Sequence, residues 1–411
     1  MIKNKISHSL YKTIGFMDYD LSYIEKLKDE GFSLSVISNE TNRFLQGTYY
    51  SEYLDIMFGN IEEYSVNKYR KQFDYNIQIQ NLDIPVTLKN VEIYFFYDDF
   101  KEVQNAIFSI EYSISSFTMA EISNITRAMK SFNTLISFED KSLSLEDFIA
   151  DKILQDKNFT DQKSSVVQYS GFNFKSYLIL DFDEMSFNRD DLLFELGTFS
   201  KIGGIVENDI DAPSKSYKNK ILENKISCFN NYDCLTLYDS FTVLGSNNYD
   251  STNYYSNSTW GEIYFSIYIF NLYIKSSSQA ISNDFSDKPL VKRGEFKNFY
   301  NKYYFNNIAF NFLPNEIFSG IFKSLEIEQD IGFVETRLES LAGQINEKQQ
   351  NNQAFLLFFI SIITIFELPN HLDGIRKLLA LENISLFNYV SYSLVFFLFF
   401  LILFLKKKNK I

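Results

Sequence analysis

The chain has 411 residues, 45% of them apolar and including 43 Phe and 28 Tyr, enough to bury a large core and to exclude wholesale disorder. Its 39 Lys and Arg stand against 52 Asp and Glu, a net charge of −13 that repels phosphate backbones and argues against nucleic acid as a partner. Cys228 and Cys234, with His8 and His371, are too few for a disulfide framework, a His-rich metal site or a histidine triad.

Residues 1–20 lack an apolar h-region, so no secretory signal is expected. Residues 1–258 read as a cytoplasmic domain of α+β (α/β-like) class. Strand-like alternation occurs at 75–80 (YNIQIQ), 85–88, 91–97, 107–114, 166–169 and 177–182. Helical patterns occur at 118–132, at 144–154 with Ser144 as N-cap and Asp147 at its N3 position, and at 190–199. Residues 245–259 are a loop by composition, and 259–320 a helical region that starts with a helix over 260–280.

No GxxxxGK[ST], GxGxxG or GxSxG occurs, so no catalytic residue and no enzymatic activity are expected. The best acidic cluster is Asp181, Asp183 and Glu184 in LILDFDE, a weak candidate for Mg2+ or Ca2+ beside the plainer reading of a solvated strand end. Asp98-Asp99 is weaker still, and Asp190-Asp191 suits the first turn of a helix.

From 321 to 353 the pattern is that of a stalk helix. Ile327, Ile331, Val334, Leu338, Leu341 and Ile345 recur at spacings of 4, 3, 4, 3 and 4, a heptad seam. No Gly-Pro punctuation separates it from the apolar run 354–368, so one helix is expected over 321–368, ~70 Å long. That run, AFLLFFISIITIFEL, rises only ~22 Å against a ~30 Å hydrocarbon core, and it spans only if Asn351, Asn352 and Gln353 join it. At 100° per residue, Gln353, Leu357, Thr364 and Glu367 share one stripe, with Ser361 close by. Two readings stay open: the stripe lines a water-filled path, or Ser361 and Thr364 bond back to their own helix and the amides form a wet linker.

Residues 369–385 read as an outer loop and 386–405 as a second membrane helix, uncharged and worth roughly −5 to −9 kcal/mol on an insertion scale. The tail 406–411, with Lys406, Lys407, Lys408 and Lys410, marks the cytoplasmic side. The expectation is a multi-pass protein of the plasma (inner) membrane, embedded in the lipid bilayer with both termini cytoplasmic.

This order of parts, carried by EIYFSIYIFNLYIK at 262–275, FYNKYYFNNIAF at 299–310, the stalk, and SLVFFLFFLILFLKKKNK at 393–410, resembles the CorA-like family of divalent-cation transporters. The resemblance implies a homopentamer whose first membrane helix lines a central pore, with Gln353, Leu357, Ser361, Thr364 and Glu367 facing it, and Mg2+ or another divalent cation as cargo or gating ligand. The family's Gly-Met-Asn signature is replaced by Phe366-Glu367-Leu368-Pro369-Asn370, so only Asn370 stands as a filter-position counterpart. Divergent members without the signature include membrane effectors encoded with type III CRISPR systems. By that analogy the function is an ion channel in antiviral defence, opened by an adenylate-type nucleotide second messenger at a site the sequence does not mark. The alternatives are a divalent-cation transporter with an altered filter and a membrane-tethered sensor or scaffold.

Overall fold

A computed structural model describes residues 5–19, 21–37, 39–58, 66–97, 104–114, 117–155, 173–184, 187–204, 213–246, 255–283 and 289–378, with single positions beyond. The chain forms two compact units, Met1–Thr336 and Arg337–Ile411.

The first unit is built on one sheet of 11 strands. The long N-terminal strand β1 (Lys5–Tyr19) lies inside it, flanked on both sides by antiparallel partners, β5 (Gln104–Ser113) and β8 (Lys175–Glu184). Past β5 come β4 (Ile84–Phe96) and β3 (Val66–Ile79), then the hairpin β6 (Leu135–Phe138) and β7 (Lys141–Ser144). Short β2 (Ser33–Leu34) also pairs with β3. Past β8 come β11 (Ser240–Ser246), β10 (Tyr232–Thr236) and β9 (Lys225–Phe229). Only β8 and β11 run parallel among the described strands, because the helices of 189–222 intervene between them.

Both faces of the sheet are covered, which makes the unit three-layered. One face carries Tyr11, Met17, Ile93, Phe95, Phe108, Ile110, Leu178 and Leu244 into the main core. Its cover is α1 (Leu21–Asp29), α4 (Met119–Ala128), α5 (Leu145–Phe148) with a π-helical continuation Ile149–Leu154, and α6 (Arg189–Gly197). The caps of these helices are written locally. Thr118 and Glu121 form a reciprocal capping box at α4, Ser144 accepts from the Asp147 amide at 3.0 Å, and Asn188 caps α6. Helices α2 (Asn39–Thr48), α3 (Ser51–Phe58) and α7 (Lys215–Leu222) complete the N-terminal part.

The opposite face is roofed by a π-helical segment Tyr255–Tyr264 running into α8 (Phe265–Asn283). Aromatic rings carry this contact: Phe265 meets Tyr94 and Tyr177, Tyr268 meets Phe241, and Tyr273 stacks on Phe96 with centroids 3.8 Å apart. The roof continues through α9 (Pro289–Tyr303) and α10 (Phe312–Ser324). The loop expected over 245–259 is therefore helical from Tyr255 onward.

Four expectations are corrected. The single helix over 321–368 is two: α10 ends at Ser324, Glu326 takes a left-handed φ of 55°, and α11 (Ile327–Leu378) follows for 52 residues. It also passes through Pro369, which the sequence reading placed in an outer loop; proline removes one backbone donor but does not end this helix. More consequentially, the fold class of a cytoplasmic domain with a stalk and two membrane helices is overturned: among the described residues no helix is long and apolar enough to cross a membrane. The fold is a large mixed sheet with helices on both faces. The apolar run of α11 sits between the amides Asn351, Asn352 and Gln353 and the carboxylate of Glu367, and those thirteen residues fall short of a bilayer's thickness. The multi-pass plasma-membrane localisation loses its support on the same ground. Residues 386–405 and 406–411 lie outside the described residues apart from single positions, as do 166–169, Asp98 and Asp99.

Candidate functional site

The roofed face of the sheet carries a charge cluster where apolar side chains would be the rule. Lys12 on β1 and Glu92 on β4 point to the same side, and their Nζ and Oε2 atoms lie 2.9 Å apart with each side chain only 4% exposed. Lys68 on β3 approaches the other Glu92 oxygen at 3.5 Å, and the Tyr94 hydroxyl donates to Oε2 at 3.4 Å. Lys12 also donates to the Gly261 carbonyl at 3.3 Å and lies 4.1 Å from the centroid of the Phe265 ring, which ties β1 to the roof. Burial on its own would raise the Glu92 carboxyl, but Lys12, Lys68 and Arg70 outweigh it and hold the group down, from 4.5 to about 2. One carboxylate thus answers three cations.

Arg70 stands opposite Glu92 in the β3–β4 register but directs its Nε to the Asn90 side-chain oxygen at 2.9 Å. Beside it, along the edge where β2 joins β3, opens a cleft of about 400 Å3 lined by Gly31, Ser33, Ser35, Arg70, Lys71 and Gln72. A polar cluster of this kind leaves little mark in sequence. Lys12 and Glu92 are 80 residues apart, and the available signal is a charge standing inside a strand that is otherwise buried on both faces.

A second charge group lies elsewhere on the same unit. Asp239 accepts from Lys175 at 2.7 Å and from Lys130 at 2.8 Å, and Lys175, almost wholly buried, rests 4.1 Å from the Tyr238 ring centroid. Burial lowers the Lys175 pKa against the opposing pull of Asp239.

The residues expected from sequence fall in different places. Asp181 is buried on β8 opposite His8 of β1, while Asp183 is half-buried and the Glu184 side chain lies outside the described residues. Among the described residues no group of His, Cys, Asp and Glu is placed to hold a metal ion. Of the stalk seam, Ile327, Ile331, Val334 and Leu338 are buried and Leu341 and Ile345 half-buried. The root of α11 is clamped within the first unit, where Lys275 of α8 meets Asp330 at 2.7 Å. Gln353, Leu357, Ser361, Thr364 and Glu367 are all exposed on α11, and the Asn370 side chain is not described. The Ser361 hydroxyl donates to the Leu357 carbonyl at 2.7 Å and Thr364 to Ile360 at 2.8 Å, so both hydroxyls are satisfied by their own helix.

The titrating groups of the sheet predict how stability follows pH. Burial lowers the His8 pKa from 6.5, despite the opposing Asp181 and Glu111, so the unfolded chain takes up that proton more readily than the folded one. Its contribution is intact above pH 6.5 and declines below it. The depressed Glu92 contributes stability that is complete above 4.5 and is lost as pH falls toward 2. Denaturation midpoints measured from pH 8 to pH 3 should therefore drop in two stages, and His8→Leu should flatten the first while leaving the second. Compared with known proteins, the chain matches no family model and no curated sequence.

Proposed function

We propose that this chain is a non-enzymatic, self-assembling effector: copies associate through α11, and the sheet unit at its root reads a small ligand. The carrying observation is the exposure of an apolar sleeve. Phe355, Leu356, Leu357, Phe359, Ile360 and Ile363 are each 48–64% exposed on α11. At 100° per residue these six span an arc of about 200°, roughly twice the apolar stripe of an ordinary water-facing helix. Packing against other copies of α11 buries every one of them, with register set by the same helix in each chain. In such a bundle one stripe faces the shared axis, and Gln353, Leu357, Ser361, Thr364 and Glu367 are its members by spacing. The resemblance noted in the sequence supplies the copy number, five.

The test is the mass of the full-length protein in solution. The parent should be a closed oligomer at micromolar concentration. Leu356→Asp with Ile360→Asp, both at exposed positions and therefore without cost to the sheet unit, should raise the concentration for assembly at least tenfold. A monomeric parent, or an assembly that the double variant leaves intact, sinks the proposal.

A further inference from the structure

We infer that the cleft along the β2–β3 edge is a binding site for the phosphoryl group of a small molecule. Its volume of about 400 Å3 suits a pyrophosphate or a nucleoside monophosphate and is too small for a folded partner. The lining residues are Gly31, Ser33, Ser35, Arg70, Lys71 and Gln72, none of them acidic, and the Ser33 hydroxyl donates to the Arg70 carbonyl at 3.4 Å. On a chain of net charge −13 that composition runs against the average of the surface.

Arg70 is prepared for the task. Its Nε is held by Asn90 at 2.9 Å, which fixes the plane of the guanidinium, and among the described residues it forms no ion pair. The two terminal nitrogens of a guanidinium are the pair that grips a phosphate or carboxylate side-on. Behind it, Glu92 is engaged at 2.9 Å by Lys12 and at 3.5 Å by Lys68, and Arg70 adds a third cation around this one carboxylate. The local surplus of positive charge is left to be met by an anion from outside. Lys71 keeps its ammonium on the Glu30 carbonyl at 2.6 Å, which holds the rim of the cleft to the end of α1.

This site rests on the reading of the first unit as the ligand-binding part and does not depend on assembly through α11, so a failure of binding and a failure of assembly are distinguishable. Calorimetric titration of the full-length chain with inorganic pyrophosphate, and separately with adenosine monophosphate, should show saturable binding that weakens with salt. Arg70→Gln should weaken it at least tenfold, whereas Lys220→Gln, at an exposed position of α7 outside the cleft lining, should leave it unchanged. Gln72→Glu guards against misfolding of the arginine variant, since it places a carboxylate at an exposed position of the cleft and should weaken binding to a similar degree. Tighter binding of the monophosphate assigns the ligand to nucleotides, and equal or tighter binding of pyrophosphate assigns it to free phosphate species. No binding of either probe at millimolar concentration, or unchanged binding in a folded Arg70→Gln or Gln72→Glu protein, overturns the inference.

Discussion

Glu92→Gln should destabilise the sheet unit by about 3–5 kcal/mol, the cost of leaving a buried charge without its partner. The neighbours explain the size. Lys12 is 4% exposed and cannot turn to water, and Lys68 and Arg70 would then face it with no carboxylate between them. Lys12→Met should cost a similar amount by stranding the carboxylate, although Lys68 at 3.5 Å softens that loss. The informative variant is the double, Lys12→Met with Glu92→Leu. A buried pair replaced whole by apolar side chains is commonly neutral or stabilising, so the double should recover most of what either single loses. Urea unfolding of the three variants measures this directly. Single variants within 1 kcal/mol of the parent would mean that water reaches the pair.

Gly15→Ala should damage the sheet severely for a one-carbon change. Gly15 of β1 lies opposite Phe108 of β5, and a Cβ there would stand 2.7 and 2.8 Å from the two Cε atoms of that ring. Phe108 is fully buried against Phe174, so the ring has nowhere to go. Overpacking of this kind costs about 1–3 kcal/mol or more. Shrinking the ring in the same molecule, Gly15→Ala with Phe108→Leu, should restore part of it. Gly47 of α2 provides the contrast: a Cβ built there meets nothing within 4 Å, and Gly47→Ala should stabilise by about 0.5–1 kcal/mol. Thermal unfolding of both variants gives opposite signs if packing decides, and the same sign if backbone preference does.

The contrast between β4 and β1 explains what could be read from the sequence. VEIYFF within β4 is so dense in β-branched and aromatic residues that its strand is evident without a partner. KISHSLYKTIGFMDY of β1 carries Leu10, Lys12, Ile14 and Phe16 on one face and Ser9, Tyr11, Thr13 and Met17 on the other. Both faces are covered and both are mixed, so no period-two contrast survives, and the strand at the middle of the sheet escapes notice. Capping is chemistry between near neighbours, which is why Ser144 and Asp147 were legible. The membrane reading failed for a different reason: apolar density along α11 carries no statement of what covers it, and the polar residues at both ends of the run decide its usable length. The charge cluster of Lys12, Lys68, Arg70 and Glu92 was invisible because three separate strands supply it.

The central place of β1 has a consequence for how the chain comes off the ribosome. One edge of β1 is met by β5, but its other edge waits for β8, which ends at Glu184. At roughly 5–20 residues per second, the nascent chain carries that edge unpaired for about 10–30 s after Tyr19 has emerged. Refolding of the released protein faces the same long closure, since pairing across so much sequence is slow. Nascent chains halted before Lys175 should therefore present an open strand edge to chaperones, and those halted well past Ser246, with the whole sheet outside the exit tunnel, should not.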